Sequence, residues 1–172
     1  MTTAKLTTTG LFTALLCILG PLSITLPFSP VPFSLGTLGV LLACLLLKPK
    51  GSLLCVCLYL LLGLVGLPVF SGFTGGAGKI LGPTGGYLLG YLFLAGVGSL
   101  LVNKWKSSML LQALGLFIGM LCCYFFGTIW LILQTKLDIS AALWTGFLPY
   151  IPFDIAKILA SLALCKEIRK RL

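Results

Sequence analysis

The stretch MLLQALGLFIGMLCCYFFGTIWLIL, residues 109–133, decides how the whole chain is interpreted. No charged side chain interrupts it from one end to the other. A helix needs about 20 mostly apolar residues to cross the hydrocarbon core of a bilayer, so this stretch is long enough to span a membrane. The stretch therefore predicts a transmembrane helix.

Five further apolar runs occupy most of the remaining sequence. They cover residues 6–26, 32–47, 52–69, 84–102 and 142–165, and Pro, Gly or Lys marks the breaks between them. Six spans of about 20 residues use roughly 120 of the 172 residues, so the connections are short and no separate soluble domain fits. The sequence predicts an all-α membrane protein in which residues 1–172 form a single transmembrane domain of six helices.

The composition agrees with this fold class. Hydrophobic residues make up 59% of the chain and charged residues 9%, whereas a soluble domain carries about 25% charged residues. This excludes a cytosolic enzyme, a secreted disulfide domain and a disordered tail. Histidine is absent, and the seven cysteines lie in or beside apolar runs. We interpret them as small buried hydrophobes, and we expect neither a metal nor a cofactor.

The basic residues predict the orientation of the chain. The net charge of +9 would indicate nucleic acid in a soluble protein, but the cytoplasmic loops of membrane proteins are also rich in Lys and Arg. With six spans, only Lys79 and Lys136 fall on one side. The termini share the other side with these residues: Lys5, Lys48, Lys50, Lys104, Lys106, Lys166, Arg169, Lys170 and Arg171. We therefore expect a multi-pass protein of the cell membrane with both termini cytoplasmic, bounded by lipid and without a nucleic-acid partner.

Asp154 and Lys157 are the sharpest candidates for a binding site. An ionisable side chain within a membrane span costs about 2.5–3.5 kcal/mol on insertion scales, so it needs a partner or a function. Their spacing of three places them on one helix face. One interpretation is a private salt bridge or a snorkelling lysine. The other is the polar floor of a cavity that opens to the outer face, with Pro149 and Pro152 breaking the helix beside it.

A second candidate lies in Gly82-Pro83-Thr84-Gly85-Gly86-Tyr87. Thr84 is placed to cap a helix, and Gly85 and Gly86 would let a ligand approach backbone N–H groups that suit a carboxylate. Tyr87 adds a flat ring with a hydroxyl. The alternative is a tight turn followed by a tyrosine at the membrane interface.

Other motifs are weaker. Gly78-Lys79 resembles the end of a phosphate-binding loop, but Phe73 and Ile80 stand where that motif needs Gly and Ser or Thr. Small residues recur at four-residue spacing in several runs, which permits close helix contacts in lipid. Most of these pairs are expected to pack internally, whereas Gly10 and Ala14 could face another protein. No constellation of catalytic residues is present, so we expect a non-enzyme.

Three motifs together resemble the BioY family. They are Leu26-Pro27-Phe28-Ser29-Pro30-Val31-Pro32-Phe33-Ser34, the segment from Tyr59 to Phe70, and the segment from Gly82 to Tyr87. Members of this family are biotin-specific substrate-binding (S) components of energy-coupling-factor (ECF) transporters. The resemblance follows the chain nearly from end to end, with the Asp-x-x-Lys near its close. Gly36 and Phe153 depart from the pattern, standing where relatives tend to have Gln and Gly.

The resemblance implies roles for particular residues. It implies that Asp154 and Lys157 contact biotin near the outer face, and that Gly10 and Ala14 meet a transmembrane T component that works with two cytoplasmic ATPase subunits. Biotin has a ureido ring with two N–H donors, an apolar thioether and a carboxylate tail. Asp154 could accept from the ureido group, while Lys157 or donors near Thr84 could take the carboxylate. Aromatic side chains that could cover the rings are Phe28, Phe33 and Tyr87.

Three functions remain open. The first is the high-affinity biotin-binding subunit of an ECF-type ABC transporter. The alternative is a self-sufficient secondary transporter of biotin or another small carboxylate vitamin, with Asp154 as a proton carrier. A third possibility is a membrane protein that only organises partners and binds no ligand.

Overall fold

The long helix predicted over residues 109–133 is present and slightly longer. A computed structural model describes residues 3–25 and 31–171, and in it this helix, α7, runs from Met109 to Thr135. The Ser108 hydroxyl accepts a hydrogen bond from the Leu111 N–H at its start. Lys136 ends it in the left-handed conformation, with φ 55°, which is a common way to close a helix.

The other elements are also mostly helical. The first part of the chain contains α1 (Thr3–Leu19), β1 (Ser23–Ile24), β2 (Phe33–Ser34), α2 (Gly36–Leu46), α3 (Pro49–Leu64) and the short α4 (Ala77–Leu81). The second part contains α5 (Gly85–Phe93), α6 (Ser99–Lys104), α7, α8 (Ile139–Gly146) and α9 (Ile151–Arg171). A π-helical turn, Leu94–Gly98, joins α5 to α6, and a 3₁₀ turn, Leu148–Tyr150, joins α8 to α9.

Among the described residues, three helical segments are long and apolar enough to cross a membrane. They are Gly85–Lys104, Met109–Thr135 and Ile139–Lys170. The helices α1, α2 and α3 are apolar but shorter. The apolar runs of the sequence are longer than these helices, because several run ends contain turn residues. Gly66, for example, has φ 108° just beyond α3, a conformation that glycine adopts without strain.

A small hairpin departs from the all-α expectation. The strands β1 and β2 pair antiparallel, with Ser23 opposite Ser34 and Ile24 opposite Phe33. The Ser34 hydroxyl also donates to the Gly20 carbonyl at 3.0 Å. The hairpin therefore fixes the start of α2 against the end of α1, and it positions Phe33 and Ser34.

The helices pack in parallel and antiparallel pairs through small residues. A Cβ added to Gly86 would lie 2.2 Å from Trp130, and one added to Gly90 would lie 2.7 Å from the Cys123 sulfur. These contacts join α5 to α7, so the predicted close packing through small residues is confirmed for this pair of helices. On the other side of the molecule α9 runs parallel to α2. Its Lys157 end contacts Ser34, and its Arg169 end contacts the Leu45 carbonyl.

The predicted break near the last two prolines is confirmed. α8 ends at Gly146, and Phe147 has a backbone conformation outside the helical region. Pro149 lies in the 3₁₀ turn, and Pro152 is the second residue of α9. Proline is tolerated in a first helical turn, where its missing N–H removes no hydrogen bond. The break leaves Tyr150 and the first turn of α9 beside an internal cavity.

Candidate functional site

The cavity lies where the hairpin, α2, α5, α7 and the start of α9 meet. Its volume is about 50 Å³, which is room for only a few water molecules. The residues around it are Val31, Pro32, Phe33, Ser34, Thr37, Tyr87, Tyr91, Met120, Cys123, Tyr124, Tyr150, Asp154 and Lys157. A second compartment of about 40 Å³ shares Ser34, Tyr87 and Tyr91 with it and extends to Ser71 and Thr84. The two compartments are therefore neighbours that share part of one wall.

Asp154 and Lys157 form an ion pair in the wall of the main cavity. The Lys157 Nζ lies 2.9 Å from Asp154 Oδ1, and both side chains are more than nine-tenths buried. The prediction that they share a helix face is therefore confirmed. Two opposite charges in a medium of low dielectric attract each other strongly, but each also loses its hydration. The pair must be completed by further hydrogen bonds to be stable.

Lys157 is well supplied with partners. Its ammonium donates to the Ser34 carbonyl at 2.8 Å and to the Thr37 hydroxyl at 2.7 Å. It also lies 3.9 Å from the centre of the Phe33 ring, a distance at which an aromatic face attracts a cation. The hairpin and the first turn of α2 thus hold the charge of Lys157 inside the molecule.

Asp154 is less completely satisfied. Its Oδ2 accepts a short hydrogen bond from the Tyr124 hydroxyl of α7. Its Oδ1 is fully buried, and the donor found near it among the described residues is the Lys157 ammonium at 2.9 Å. A carboxylate oxygen has room for more than one donor. Asp154 Oδ1 therefore retains the capacity to accept an N–H from another molecule.

Tyrosines form much of the wall. The chain has five, and all but Tyr59 line the cavity. The hydroxyl of Tyr87 donates to the Gly146 carbonyl at 3.0 Å and lies 3.3 Å from the Thr128 hydroxyl, which ties α5 to α7 and α8. The hydroxyl of Tyr150 donates to the Val31 carbonyl. These rings give the cavity flat apolar faces whose polar ends are fixed by the surrounding helices.

The structure brings together some of the residues predicted from the sequence. Asp154, Lys157, Phe33 and Tyr87 line the main cavity, and Thr84 lines the adjoining compartment. Phe153, a departure from the family pattern, packs edge-on against Phe33 with ring centres 5.2 Å apart. Phe28 lies outside the described residues.

Gly85 and Gly86 line neither compartment. A Cβ on Gly85 would meet the Ile80 carbonyl, and one on Gly86 would meet Trp130. The close approach that these glycines permit is made by the protein itself. Thr84 does precede α5, as predicted, but its hydroxyl makes no capping hydrogen bond.

Sequence reasoning missed several residues of the wall. Tyr124 and Tyr91 lie within apolar runs that contain few other polar groups. A buried Tyr hydroxyl usually needs a hydrogen-bond partner, so these two hydroxyls could have indicated a polar site within the runs. Ser34 and Thr37 frame Leu35-Gly36 at the start of α2, and nothing in their spacing distinguishes them from turn residues. Lys79 is half-buried in α4, and this burial lowers its pKa.

Gly10 and Ala14 lie far from the cavity. Both are exposed on α1, and a Cβ added to Gly10 would meet nothing within 4 Å. This sets Gly10 apart from the glycines of α5 and α7, which are filled by neighbouring helices. The contact of Gly10 and Ala14 with a partner protein stays a prediction.

The fold and the site define a class of protein. The chain is a multi-pass helical membrane protein that holds a buried acid–base pair and a cluster of tyrosines in one internal cavity. The family model described as the BioY family matches residues 1–172. The chain belongs to the BioY family, which confirms the resemblance seen in its motifs.

Known proteins resemble the chain over nearly all of its length. A biotin transporter BioY from Thermotoga maritima is 38% identical over 161 residues, which cover 94% of this chain and 93% of the relative. The biotin transporter BioY2 from Lactococcus lactis is 37% identical over 153 residues, covering 89% and 83%. A crystal structure of an S component for biotin from an ECF-type ABC transporter matches with a TM-score of 0.91 and 32% identity. This match covers 99% of this chain and 95% of that one.

Proposed function

We propose that this chain is the biotin-binding S component of an ECF-type ABC transporter and mediates biotin uptake across the cell membrane. The relatives named as biotin transporters and the biotin S component of matching fold support this assignment. Its partners are a transmembrane T component and two cytoplasmic ATPase subunits. The relatives are transporters and not enzymes, and the chain has a corresponding non-enzymatic role.

The buried pair Asp154–Lys157 is the observation that carries the proposal. A carboxylate oxygen without a directed donor lies 2.9 Å from an ammonium group, so a hydrogen-bond acceptor and a donor stand side by side. The ureido ring of biotin presents N–H and C=O groups next to each other and matches this arrangement. A carboxylate tail at the same place would be repelled by Asp154. The ureido ring therefore faces the pair.

The tail of biotin then extends through the shared wall into the second compartment. Ser71 and Thr84 border this compartment, and their hydroxyls can donate to a carboxylate. Phe33 and Tyr87, together with Phe28 from the sequence motif before β2, would cover the apolar part of the ligand. Gly85 and Gly86 contribute by holding the start of α5 in place.

Binding also requires the site to open. The main cavity of about 50 Å³ is small beside the 300–1,000 Å³ that ligand pockets usually have. The Tyr124 hydroxyl bound to Asp154 and the Phe33 ring over Lys157 occupy the space nearest the pair. Both side chains must move for a ligand to reach the two charges.

The proposed topology has one domain, residues 1–172, with six transmembrane helices and both termini in the cytoplasm. Neighbouring contacts support it, since Lys5 and Lys48 border one depression while Lys106 and Arg169 border another. Arg169 in turn reaches the end of α2. The basic residues therefore gather at one end of the bundle, as cytoplasmic residues do. Gly10 and Ala14 lie in the middle part of α1 and would offer a small-residue face to the T component.

Titration of biotin into the purified chain, followed by uptake in vesicles with and without the T component and ATPases, tests the function. We expect saturable binding by the chain alone and ATP-dependent uptake only in the full assembly. Uptake by the chain alone along a proton gradient would support a secondary transporter instead. The absence of any biotin binding would overturn the proposal.

A further inference from the structure

Two neighbouring depressions between α7 and α9, here together called the groove, follow each other from the level of the cavity toward the basic end of the bundle. Its first part has a volume of about 410 Å³ and only apolar walls, with Leu114 and Phe117 on α7 and Ile155 and Leu159 on α9. Leu114 and Leu159 are 48% and 60% exposed. The groove is therefore an open apolar slot on the outside of the bundle, separate from the proposed biotin site.

The groove becomes cationic where it reaches the end of the same two helices. This second part, about 280 Å³, is bordered by Lys106, Lys166, Arg169 and Lys170, beside the buried Gln112. The described residues that line it include no acidic side chain. Glu167 pairs with Lys170 at 2.8 Å on the exposed side of α9. The positive charge of the other three side chains remains uncompensated by an ion pair among the described residues.

Arg169 is held in place at the rim of this cationic part. One of its terminal nitrogens donates to the Leu45 carbonyl at 2.7 Å. A guanidinium has five N–H donors, so others are left for an anion. The rim thus combines one anchored cation with two long lysine side chains.

We propose that this groove binds an anionic phospholipid, with an acyl chain along the apolar part and the phosphate among Lys106, Lys166 and Arg169. A single ligand with an apolar chain and an anionic head matches both halves of the groove in polarity and in charge. Basic pockets between transmembrane helices at the cytoplasmic side suit anionic head groups. The site goes beyond biotin binding and needs none of the residues assigned to it.

Native mass spectrometry of the purified full chain tests the proposal. The probes are phosphatidylglycerol and phosphatidylcholine with identical acyl chains. We expect saturable binding of one phosphatidylglycerol and at least tenfold weaker binding of phosphatidylcholine. The double variant Lys106→Gln/Lys166→Gln should bind phosphatidylglycerol about 30-fold more weakly. The control Lys50→Gln/Lys104→Gln removes the same charge from the same end outside the groove and should bind normally.

The apolar half of the groove is tested separately. Leu114→Trp adds bulk to the slot without changing charge and should also weaken phosphatidylglycerol binding, whereas Leu133→Trp, on the exposed surface of α7 outside the groove, should not. Biotin binding measured on the same samples verifies that each variant is folded. Equal binding of the two lipids, or equal losses in both double variants, would overturn the proposal. The proposal would also be overturned if Leu114→Trp weakened only assembly with the T component, because the groove would then be a binding surface for that protein.

Discussion

At the residue scale, the two buried charges are not equally satisfied. Lys157 has two directed acceptors, an aromatic face and Asp154. Asp154 has one directed donor, Tyr124, and a buried oxygen that lacks another. A salt bridge that served the fold alone would gain stability from a second donor to Asp154. The incomplete partner set of Asp154 therefore favours a binding role over a private ion pair.

Changing either charge is expected to weaken biotin binding in the folded protein. Asp154→Asn and Lys157→Ala each remove a charged hydrogen bond in a desolvated site, which typically costs about 2–5 kcal/mol, or roughly 30-fold to several-thousand-fold in affinity. Asn keeps the volume and one acceptor, so its effect should be smaller than that of Asp154→Ala. Binding of labelled biotin and thermal melts measure the two consequences separately.

The pair Glu167–Lys170 offers a matched control for this measurement. It has the same spacing on the same helix, but both side chains are 60% exposed. Glu167→Gln and Lys170→Ala should leave binding unchanged, since exposed pairs contribute little. If a variant with apolar residues at both 154 and 157 binds biotin as well as the unaltered chain, the charges are structural and the site assignment is wrong.

The proposed ligand orientation predicts a selective effect at Thr84. Thr84→Ala should weaken binding of biotin by about 0.5–1.5 kcal/mol, the usual net contribution of one hydrogen bond. It should have less effect on biotin methyl ester, whose tail has no charge. Asp154→Asn should weaken both ligands equally, because it acts on the ureido ring. Competition binding with the two ligands checks this, and the reverse pattern would mean that biotin lies the other way round.

At the scale of the elements, sequence periodicity predicted the apolar runs but not where their helices end. Residues 109–133 carry no internal breaker, and the observed α7 departs from the prediction by two residues. The run 6–26 contains Gly20-Pro21, and there the chain leaves the helix for the hairpin. Hydrophobicity reports burial in lipid or protein, whereas helix ends depend on backbone hydrogen bonds that hydrophobicity does not encode.

The contact between Tyr87 and α7 predicts a large effect of a single methyl group. A Cβ on Gly127 would lie 2.3 Å from the Tyr87 ring, so Gly127→Ala must displace the ring. We expect a loss of about 1–3 kcal/mol in stability, as in other overpacked cores, together with weaker biotin binding because Tyr87 lines the cavity. Thermal melts and biotin titration measure the two effects.

Gly96 provides the control for this substitution. It also lies in a membrane helix, in the π-helical turn after α5, but an added Cβ there meets nothing within 4 Å. Gly96→Ala should leave biotin binding unchanged and stability equal or slightly higher, because alanine is the better helix former. If both variants lose stability equally, the effect comes from backbone flexibility and not from the tyrosine.

At the scale of the whole molecule, composition already predicted that the chain is a membrane protein. The sequence motifs also indicated the family. What the sequence left open was the cavity wall, since Tyr91, Tyr124 and Tyr150 come from three different helical segments. Their proximity depends on tertiary packing, which spacing along one chain does not reveal. For the same reason the sequence did not reveal that other helices of the chain pack against Gly85 and Gly86.

Substitutions on the exposed face of α1 are expected to impair transport without impairing biotin binding. Gly10→Leu and Ala14→Leu would each place a bulky side chain on the exposed face of α1. At Gly10, no described residue lies within 4 Å of an added Cβ. Close packing of membrane helices depends on such small residues. We therefore expect nearly unchanged biotin affinity in the isolated chain but reduced copurification with the T component and slower ATP-dependent uptake.

A bulky change elsewhere on α1 tests whether the position matters. Ile18 is also exposed, at 65%. Ile18→Trp should leave assembly intact, because Ile18 lies in the last turn of α1, one turn beyond Ala14 and two beyond Gly10. Loss of biotin binding in Gly10→Leu would show that Gly10 supports the fold of the chain itself. Normal assembly and uptake in both Gly10→Leu and Ala14→Leu would place the T component on another face, for which the exposed Ala156 and Ala160 of α9 are the next candidates.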